Sequence, residues 1–369
     1  MASRVSPPPT SMSSNPITIR EATPDDVPSV VRLLRLRDER EHPAEAVASY
    51  VCRLNPQRLR GWIAFAGDEP AGMTTLYVRG LRCGDRRLTM GYWAHLFIRP
   101  EYRRTMIYPQ LLMTMMKSSK TYGLDLIGCV MRRDQVTESH LKLGYREAGT
   151  LPVLMLPLRP ARLLARHRRW GAWAQAIGAP MDGLYRMISG GRSGAADGVA
   201  AHDAPFEDDA AAKLAGQVAV DGRDRIGHEW SADVVQERYA NTIEGWPYTL
   251  MRAGGDGRPE ASLVFRVAER GRGIRAGVIL DAVAAPDGEA ALAALLAAAR
   301  RRALEEDCDL ILYLDGLGDT MRRQVAAAGY RRSPETYRLI LWPGPMLDQE
   351  PDLADVKRWR FTFADHDAF

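Results

Sequence analysis

The chain has 369 residues and a formal net charge of +4, with 46% hydrophobic and 26% charged residues. This balance is typical of soluble globular proteins, and the length suffices for two domains that each have a core. The small charge, and the lack of an alternating basic and aromatic pattern, argue against a nucleic-acid partner. No apolar run approaches the roughly 20 residues that a membrane-spanning helix needs.

The first 16 residues are rich in Ser and Pro and contain no apolar core segment. They predict a disordered lead-in rather than a secretory signal, and therefore a cytoplasmic protein. The four cysteines are scattered and form no Cys-x-x-Cys pair, so we expect neither a metal site nor a disulfide framework.

In the first half of the chain, strands and helices alternate in a mixed order. Thr23-Pro24-Asp25-Asp26 predicts a helix start, because Thr caps, Pro fits the first helical position and carboxylates favour the first turn. Strands are predicted at Ile17–Arg20, Trp62–Ala66, Gly72–Val78, Leu88–Ile98, Leu124–Met131 and Thr150–Leu158, and helices at Thr23–Arg37, Pro43–Leu54, from Pro109 onward and at Asp134–Leu143. A helix that crosses between Leu96 and Leu126 implies one parallel strand pair in an otherwise antiparallel sheet.

The second half repeats this layout. Gly91 to Pro100 resembles Gly277 to Pro286 at an offset of 186 residues, and Asp125-Leu-Ile recurs 184 residues later at Asp309-Leu-Ile. Such a constant offset indicates two copies of one module. The second copy predicts strands at Tyr248–Arg252, Ala261–Val267, Ile274–Ala284, Leu310–Leu314 and Tyr337–Trp342, and helices at Gly288–Leu304 and from Asp319 to Gly329.

The predicted organisation is a lead-in (1–16), a first domain (17–158), a basic helical linker (159–203), a second domain (204–345) and a tail (346–369). The linker carries several arginines together with Trp170 and Trp173. We interpret it as a helix packed on one domain; the alternative is weak contact with an anionic membrane surface through residues 159–173. The tail alternates Trp359, Phe361 and Phe363, which predicts a final strand or a segment that docks back on a domain. Its Asp and His residues are expected to be solvated, as terminal charges usually are; the alternative is that they reach a cleft.

Two stretches, Leu96-Phe-Ile-Arg-Pro100-Glu-Tyr-Arg103 before a helix and Leu141-Lys-Leu-Gly144-Tyr145 after the next strand, resemble the GCN5-related N-acetyltransferase family. The resemblance covers residues 17–158 and, more weakly, 204–343. It implies an α/β fold of two tandem acetyltransferase-like domains, each a mixed, mostly antiparallel sheet flanked by helices. It further implies that two parallel strands splay apart around the pantetheine arm of acetyl-CoA, or of another acyl-CoA, with no metal.

The resemblance places the coenzyme on Phe97, Ile98 and the turn Arg103-Arg104-Thr105-Met106-Ile107-Tyr108, since free N–H groups at a helix start bind phosphate oxygens. Met106 and Tyr108 occupy positions that are glycine in the family. Two bulky side chains should crowd a pyrophosphate unless they turn outward, and Pro109 removes one N–H from the helix start.

His95 and His140 fall on positions where the family places its catalytic base and its catalytic acid. An imidazole titrates near neutral pH, so either residue is a candidate for moving a proton. The alternative is that His95 is a packed strand residue and His140 a helix-surface residue. The second copy has Asp281 at the position of His95 and lacks the arginine of the turn, so we interpret it as non-catalytic.

These features predict an acyl-CoA-dependent N-acyltransferase that acts on an amine of a small molecule or of a cell-envelope sugar precursor by direct transfer. One alternative is a binding or scaffold protein that kept the fold and lost the coenzyme turn. Two others are a relative that transfers aminoacyl groups and a peripheral membrane protein that acts through the linker.

Overall fold

The computed structural model describes residues 16–38, 44, 59–168, 178–185, 187, 201–204, 206–240, 247–254 and 261–365. The predicted helix Pro43–Leu54, apart from Ala44, and nearly all of the lead-in lie outside these residues. The chain divides into two compact units. The first unit consists of Met1–Leu76 with Ala94–Ser118, and the second of Tyr77–Trp93 with Ser119–Phe369.

The strands and helices of the described residues follow the predicted order closely. The strands are β1 (Ile17–Glu21), β2 (Leu59–Ala66), β3 (Glu69–Cys83), β4 (Arg86–Ile98), β5 (Leu126–Met131), β6 (Arg146–Pro157), β7 (Ala201–Ala204), β8 (Gly227–His228), β9 (Tyr248–Ala253), β10 (Ala261–Arg270), β11 (Ile274–Ala284), β12 (Leu310–Leu314) and β13 (Arg331–Trp342). The α-helices include α1 (Val27–Asp38), α2 (Ile107–Thr121), α3 (Asp134–Leu141), α4 (Pro160–Arg168), α5 (Asp208–Asp221), α6 (Ala232–Ala240), α7 (Glu289–Glu305), α8 (Asp319–Ala327) and α9 (Gly344–Gln349).

In the first unit, β1 lies antiparallel beside β2, with Ile17 opposite Ala66, and the sheet continues through β3 to β4. A short 3-10 turn precedes α1, and the Asp26 carboxylate accepts a hydrogen bond from the Thr23 amide at 2.8 Å. The predicted helix start is therefore confirmed. Leu33 and its apolar neighbours on one face of α1 are buried.

The second unit contains two parallel strand pairs, one from each copy, in which equivalent residues lie opposite each other. Met90 of β4 lies opposite Leu126 of β5, and Ala276 of β11 lies opposite Leu310 of β12. The partners in these two pairs are related by the offsets that the sequence repeat shows. The predicted parallel pair in the first copy is thus confirmed, and the second copy repeats it.

The last strands of the two predicted copies are exchanged. Within the second unit the strand order is β4-β5-β13-β6-β12-β11-β10-β9-β7. The strand that closes the first copy, β6, pairs with β12, where Pro157 faces Leu310, and the strand that closes the second copy, β13, pairs with β5, where Arg338 faces Met131. The sheet therefore continues across the predicted domain boundaries at residues 158 and 204. Those boundaries remain a prediction drawn from the sequence repeat.

The long Ala-rich helix α7 covers one face of the sheet in the second unit. Its small buried residues, among them Ala291 and Ala299, pack in one apolar cluster with Leu263, Phe265 and Ile311 of β10 and β12. Alanine side chains let a helix approach a sheet closely, so this half of the unit is a dense core.

Ion pairs hold the basic linker helix α4 to neighbouring segments of the second unit. Asp309, which is fully buried, accepts hydrogen bonds from both Arg162 and Arg166, and Arg162 also contacts Asp307 at 2.8 Å. Two arginines of the proposed membrane contact are therefore neutralised within the protein, while Trp170 and Trp173 lie outside the described residues. No helix in the described part of the chain is long and apolar enough to span a membrane.

The C-terminal tail docks on the second unit, as the aromatic alternation predicts. Trp359, Phe361 and Phe363 are all buried, and the Trp359 indole N–H donates to the Leu353 carbonyl at 3.1 Å. Asp365 is also fully buried. The expectation that the tail carboxylates are solvated is wrong for Asp365, because the tail passes through the interior rather than along the surface.

Candidate active site

Strand β4 carries a strained residue at His95. Its φ is 50°, in the left-handed region that residues other than glycine avoid. The hydroxyl groups of Thr74 and Thr75 both donate to the carbonyl oxygen of the preceding residue, Ala94, at 3.3 and 3.2 Å. Strand β3 thus holds a kink in β4, and backbone strain of this kind is concentrated at functional sites.

The equivalent strand of the second copy is irregular at the same place. In the pairing of β10 with β11, Val264 faces Asp281 while the next residue, Phe265, faces Ile279, so β11 has one extra residue at Leu280. Such bulges re-aim the side chains beside them. Both copies therefore distort the strand where His95 and Asp281 lie.

The imidazole of His95 is oriented by an arginine of α1. Arg37 Nη1 lies 3.0 Å from His95 Nδ1. A guanidinium group can only donate, so Nδ1 must accept, and the ring proton of a neutral imidazole is then on Nε2. In this arrangement His95 offers an N–H donor from Nε2 rather than a basic nitrogen.

The turn after β4 follows directly on the buried C-terminal end of that strand. Phe97 and Ile98 are buried, and Arg103 Nε donates to the Ile98 carbonyl at 3.2 Å. A Cβ on Gly72 of β3 would lie 3.0 Å from the Phe97 carbonyl oxygen, so glycine lets β3 and β4 approach closely. The predicted coenzyme residues Phe97 and Ile98 therefore line the base of the turn with apolar surface and are not open to solvent.

Helix α2 begins with a cap that the chain supplies itself. The Thr105 hydroxyl donates to the Tyr102 carbonyl at 2.6 Å and accepts from the Ile107 amide at 3.3 Å. Pro109 has no N–H, and the Gln110 amide already bonds to the Met106 carbonyl at 3.0 Å. A diphosphate oxygen that bonds to the Ile107 amide would have to displace the Thr105 hydroxyl.

The two bulky residues at the family's glycine positions behave differently. Met106 is 65% exposed, so its side chain turns outward, which is the condition under which the backbone keeps its curl. Tyr108 is half-buried at the start of α2. The Met106 side chain therefore does not prevent a phosphate group from approaching the turn.

The charge at this turn is positive. Arg103 and Arg104 are exposed, and the neighbouring acid, Glu101, is engaged by Arg99 through a hydrogen bond of 2.9 Å from Nε. Guanidinium groups that lie beside a helix start suit phosphate oxygens. The geometry thus offers two cations and part of a helix N-terminus to an anionic ligand.

His140 is a core residue rather than a surface residue of its helix. It is fully buried, its Nδ1 lies 2.8 Å from the Val136 carbonyl, and its ring packs against Trp93 and Tyr145 at centroid distances of 4.7 and 5.0 Å. Burial lowers the pKa of His140, partly offset by the bond to Val136. The expected helix-surface position is wrong, and the burial disfavours the imidazolium that a catalytic acid requires.

The predicted site residues fall into two groups. His95, Phe97, Ile98 and the turn from Arg103 to Tyr108 belong to the first unit, where they follow one another along β4 and into α2, and His140 belongs to the second unit. Sequence reasoning missed the partner of His95, because Arg37 lies 58 residues earlier on a different element.

The second copy contains a filled groove that the sequence did not reveal. The β11–β12 ladder ends at Ile279 and Tyr313, and beyond it the tail makes the backbone bonds. The Ala364 amide donates to the Leu280 carbonyl at 3.0 Å, and the Phe361 amide donates to the Gly316 carbonyl at 3.1 Å. The tail therefore takes up the hydrogen-bonding groups at the C-terminal ends of this parallel pair.

The structure resembles several solved proteins, although no protein-family profile and no curated protein sequence matches the chain. A GCN5-related N-acetyltransferase from Anabaena variabilis superposes with a TM-score of 0.59 at 13% identity, over 88% of this chain and 72% of that one. A tandem GNAT protein from the clavulanic acid biosynthesis pathway gives 0.58 at 14% identity, over 88% and 98%. The Saccharomyces cerevisiae N-myristoyltransferase with bound myristoyl-CoA gives 0.63 at 10% identity, over 92% and 85%.

Identities this low show the architecture alone. The chain therefore has the fold of the GCN5-related N-acetyltransferases.

Proposed function

We propose that the chain is an acyl-CoA-dependent N-acyltransferase that moves an acetyl or longer acyl group directly to an amine, either of a small molecule or of a cell-envelope sugar precursor. The observation that carries this proposal is the run of features after the kink in β4. The strained His95, the buried strand end at Phe97 and Ile98, and the start of α2 beside Arg103 and Arg104 follow in that order. The fold it shares with an N-myristoyltransferase that holds myristoyl-CoA supports it.

In this proposal the turn binds the diphosphate of the coenzyme. Arg103 and Arg104 supply the charge, and the Ile107 amide donates to a phosphate oxygen once the Thr105 hydroxyl has moved away. Phe97 and Ile98 line the pantetheine arm. The coenzyme supplies the thioester, and these residues fix where it lies.

Direct transfer joins the amine nitrogen to the thioester carbon, breaks the carbon–sulfur bond, takes one proton from the ammonium and returns one to the thiolate. His95, with its proton on Nε2, would donate a hydrogen bond to the thioester carbonyl oxygen as charge develops there. The role of base that the sequence predicts for His95 would require it to leave Arg37. The sequence predicts His140 as the acid, but its burial disfavours a charged ring.

Calorimetric titration of the full chain with acetyl-CoA tests the proposal. We expect micromolar binding that weakens at least about tenfold in Arg103→Ala/Arg104→Ala, since each charged hydrogen bond contributes roughly 1.5–3 kcal/mol. Arg87→Ala, which removes an arginine whose side chain is 82% exposed, should leave the affinity unchanged. No heat at millimolar coenzyme, or equal loss in both variants, would refute it.

A second function is supported by a specific observation. The helix start is already capped by Thr105 and lacks one N–H at Pro109, which suits a protein that kept the fold for binding or scaffolding and lost the coenzyme. In that case acetyl-CoA gives no heat, and Thr105→Ala lowers the free energy of unfolding by about 1 kcal/mol without creating coenzyme binding.

A further inference from the structure

Large exposed apolar side chains are concentrated in one segment of the second unit. Nine such side chains occur among the described residues, and four of them fall between residues 164 and 187, where each is at least 45% exposed. They are Leu164 of α4, and Met181, Leu184 and Met187 in and just after the helical residues 178–185. A single exposed apolar residue is common on protein surfaces, whereas several in a short stretch mark an interaction surface.

The two parts of this segment pack against each other. The buried Asp182 carboxylate accepts a hydrogen bond from the Ala161 amide at 2.8 Å, at the start of α4. A Cβ on Gly178 would lie 2.9 Å from the Cβ of Ala161. Leu164 is about one helical turn from Ala161, and Met181 is about one turn from Gly178. The exposed apolar side chains of the two helical segments therefore belong to one region of the surface.

Helix α4 has an inward face and an outward face. Arg162 and Arg166, four residues apart, point inward and share the buried Asp309. Leu164 and Arg168 are also four residues apart, and both are exposed. Residues at this spacing lie on the same side of a helix, so Leu164 and Arg168 form an outward face that is apolar and basic at once.

The charge of this surface is positive. Arg168 and Arg272 are exposed, and no carboxylate among the described residues pairs with either. Arg272 donates to the His167 carbonyl at 2.6 Å, so it lies beside the C-terminal end of α4. Residues 159–194 contain seven arginines and a single acidic residue, Asp182, which is buried against α4. The segment thus carries more positive charge than the net +4 of the whole chain.

We propose that Leu164, Arg168, Met181, Leu184 and Arg272, here called the linker face, dock on the surface of an anionic lipid membrane. The apolar side chains enter the boundary between headgroups and acyl chains, while the guanidinium groups bond to lipid phosphates. Both kinds of side chain are required, because neither a few apolar residues nor two charges alone give stable membrane binding. This inference does not depend on the proposed function.

Other occupants fit the linker face less well. A second copy of the chain in a symmetric dimer would place the same basic surface on both sides of the interface, and like charges would then oppose each other. A nucleic acid would satisfy the arginines and leave Leu164, Met181 and Leu184 in water, because its backbone offers phosphates and no apolar layer. An anionic membrane surface matches the charge and the apolar side chains together.

Flotation of the full chain with lipid vesicles tests the proposal. We expect binding to vesicles of phosphatidylcholine mixed with phosphatidylserine, and at least about tenfold weaker binding to phosphatidylcholine alone, since each arginine near an anionic surface contributes about 1 kcal/mol. Binding should weaken as salt is added, because salt screens exposed charges. Equal binding to the two kinds of vesicle, or no flotation with either, would overturn the proposal.

Two double variants separate the charged from the apolar contribution. Arg168→Gln/Arg272→Gln and Met181→Ser/Leu184→Ser should each weaken binding to the anionic vesicles at least about tenfold. The matched controls, Arg331→Gln/Arg332→Gln on β13 and Leu36→Ser/Met113→Ser on α1 and α2, change exposed residues elsewhere and should leave binding unchanged.

Equal losses in the variants and in their controls would contradict a specific face. If the apolar variant fails to fold, the charge variant still decides the question, because a loss confined to Arg168 and Arg272 requires their charge at the membrane. Sedimentation equilibrium gives the competing outcome: a dimer that Met181→Ser/Leu184→Ser converts to a monomer, in a chain that does not float, would assign the face to a second copy and overturn the proposal.

Discussion

Asp281 and Arg360 form a buried bidentate ion pair, with Arg360 Nη2 2.7 Å from Oδ1, Nη1 3.3 Å from Oδ2, and both side chains 3% exposed. Asp281 occupies the position in the second copy that His95 occupies in the first. Its carboxylate also accepts from the Ala282 amide at 2.7 Å. The group that would act as a base in a working second copy is therefore engaged by the chain's own tail, which supports a structural role for that copy.

We expect Arg360→Met to lower the free energy of unfolding by about 3–5 kcal/mol, because it leaves the Asp281 carboxylate buried without its cation. Denaturant unfolding measures the loss. Arg358→Met is the matched control: Arg358 pairs with Asp352 at the surface, where both side chains are more than half exposed, and should cost less than about 1 kcal/mol. Equal effects of the two substitutions would mean that the buried pair does not hold the tail.

Gly316 lets the tail pass close to the end of β12. A Cβ at this position would lie 1.9 Å from the Phe361 carbonyl oxygen, which no side-chain rotation can relieve. Gly316→Ala should therefore displace the tail, lower the free energy of unfolding by more than about 2 kcal/mol and make the C-terminus sensitive to limited proteolysis.

Gly216→Ala is a control that should change the free energy of unfolding in the opposite direction. Gly216 lies within helix α5, and a Cβ there would have no neighbour within 4 Å, so alanine should stabilise the protein by about 0.5–1 kcal/mol. A Gly316→Ala variant as stable and as protease-resistant as the Gly216→Ala variant would show that the tail is not held against β12.

The strand exchange shows where the sequence stops being informative. The repeat predicts β6 and β13 and the two parallel pairs, because apolar periodicity and a constant offset are local properties. The two closing strands occupy equivalent places in the repeat and carry similar apolar patterns. Either one can pair beside β5 without changing its own pattern, so only the folded chain decides that β13 takes that place.

The candidate site was predictable in part. The position of the turn from Arg103 to Tyr108 follows from the resemblance, and the outward direction of Met106 follows only from the backbone. The burial of His140 depends on Trp93 and Tyr145, of which the first is 47 residues earlier in the chain. The sequence predicts a solvated Asp365, because terminal charges are usually solvated, whereas in the structure the aromatic residues before it carry it into the core.

The start of α1 predicts an acid-sensitive contribution to stability. The Arg20 guanidinium, with help from Thr23, lowers the pKa of Asp26 from 3.8 to about 2. A depressed carboxyl pKa stabilises the fold above the unfolded value, so this contribution should be complete above about pH 4 and be lost as the pH falls toward 2.

Asp26→Asn should cost about 1–2 kcal/mol at neutral pH, a value reduced from the full shift because Arg20 is half exposed, and the difference from the unsubstituted chain should vanish near pH 2. Urea unfolding across this range measures it, with the exposed Asp25→Asn as the control. A difference that stays constant with pH would show that the carboxylate charge is not responsible.

The contact between Arg37 and His95 predicts that His95 acts as a hydrogen-bond donor and not as a base. Because Arg37 can only donate, we expect nitrogen-15 spectra of labelled protein at neutral pH to show His95 with its proton on Nε2 and an unprotonated Nδ1. Arg37→Met should remove that preference and, if the chain is a transferase, lower kcat more than it raises KM, since the donor would act in the transition state. Arg35→Met, an exposed neighbour on the same helix, should leave both the spectrum and kcat unchanged. A proton on Nδ1 in the unsubstituted protein would contradict the assignment and return His95 to the role of a base.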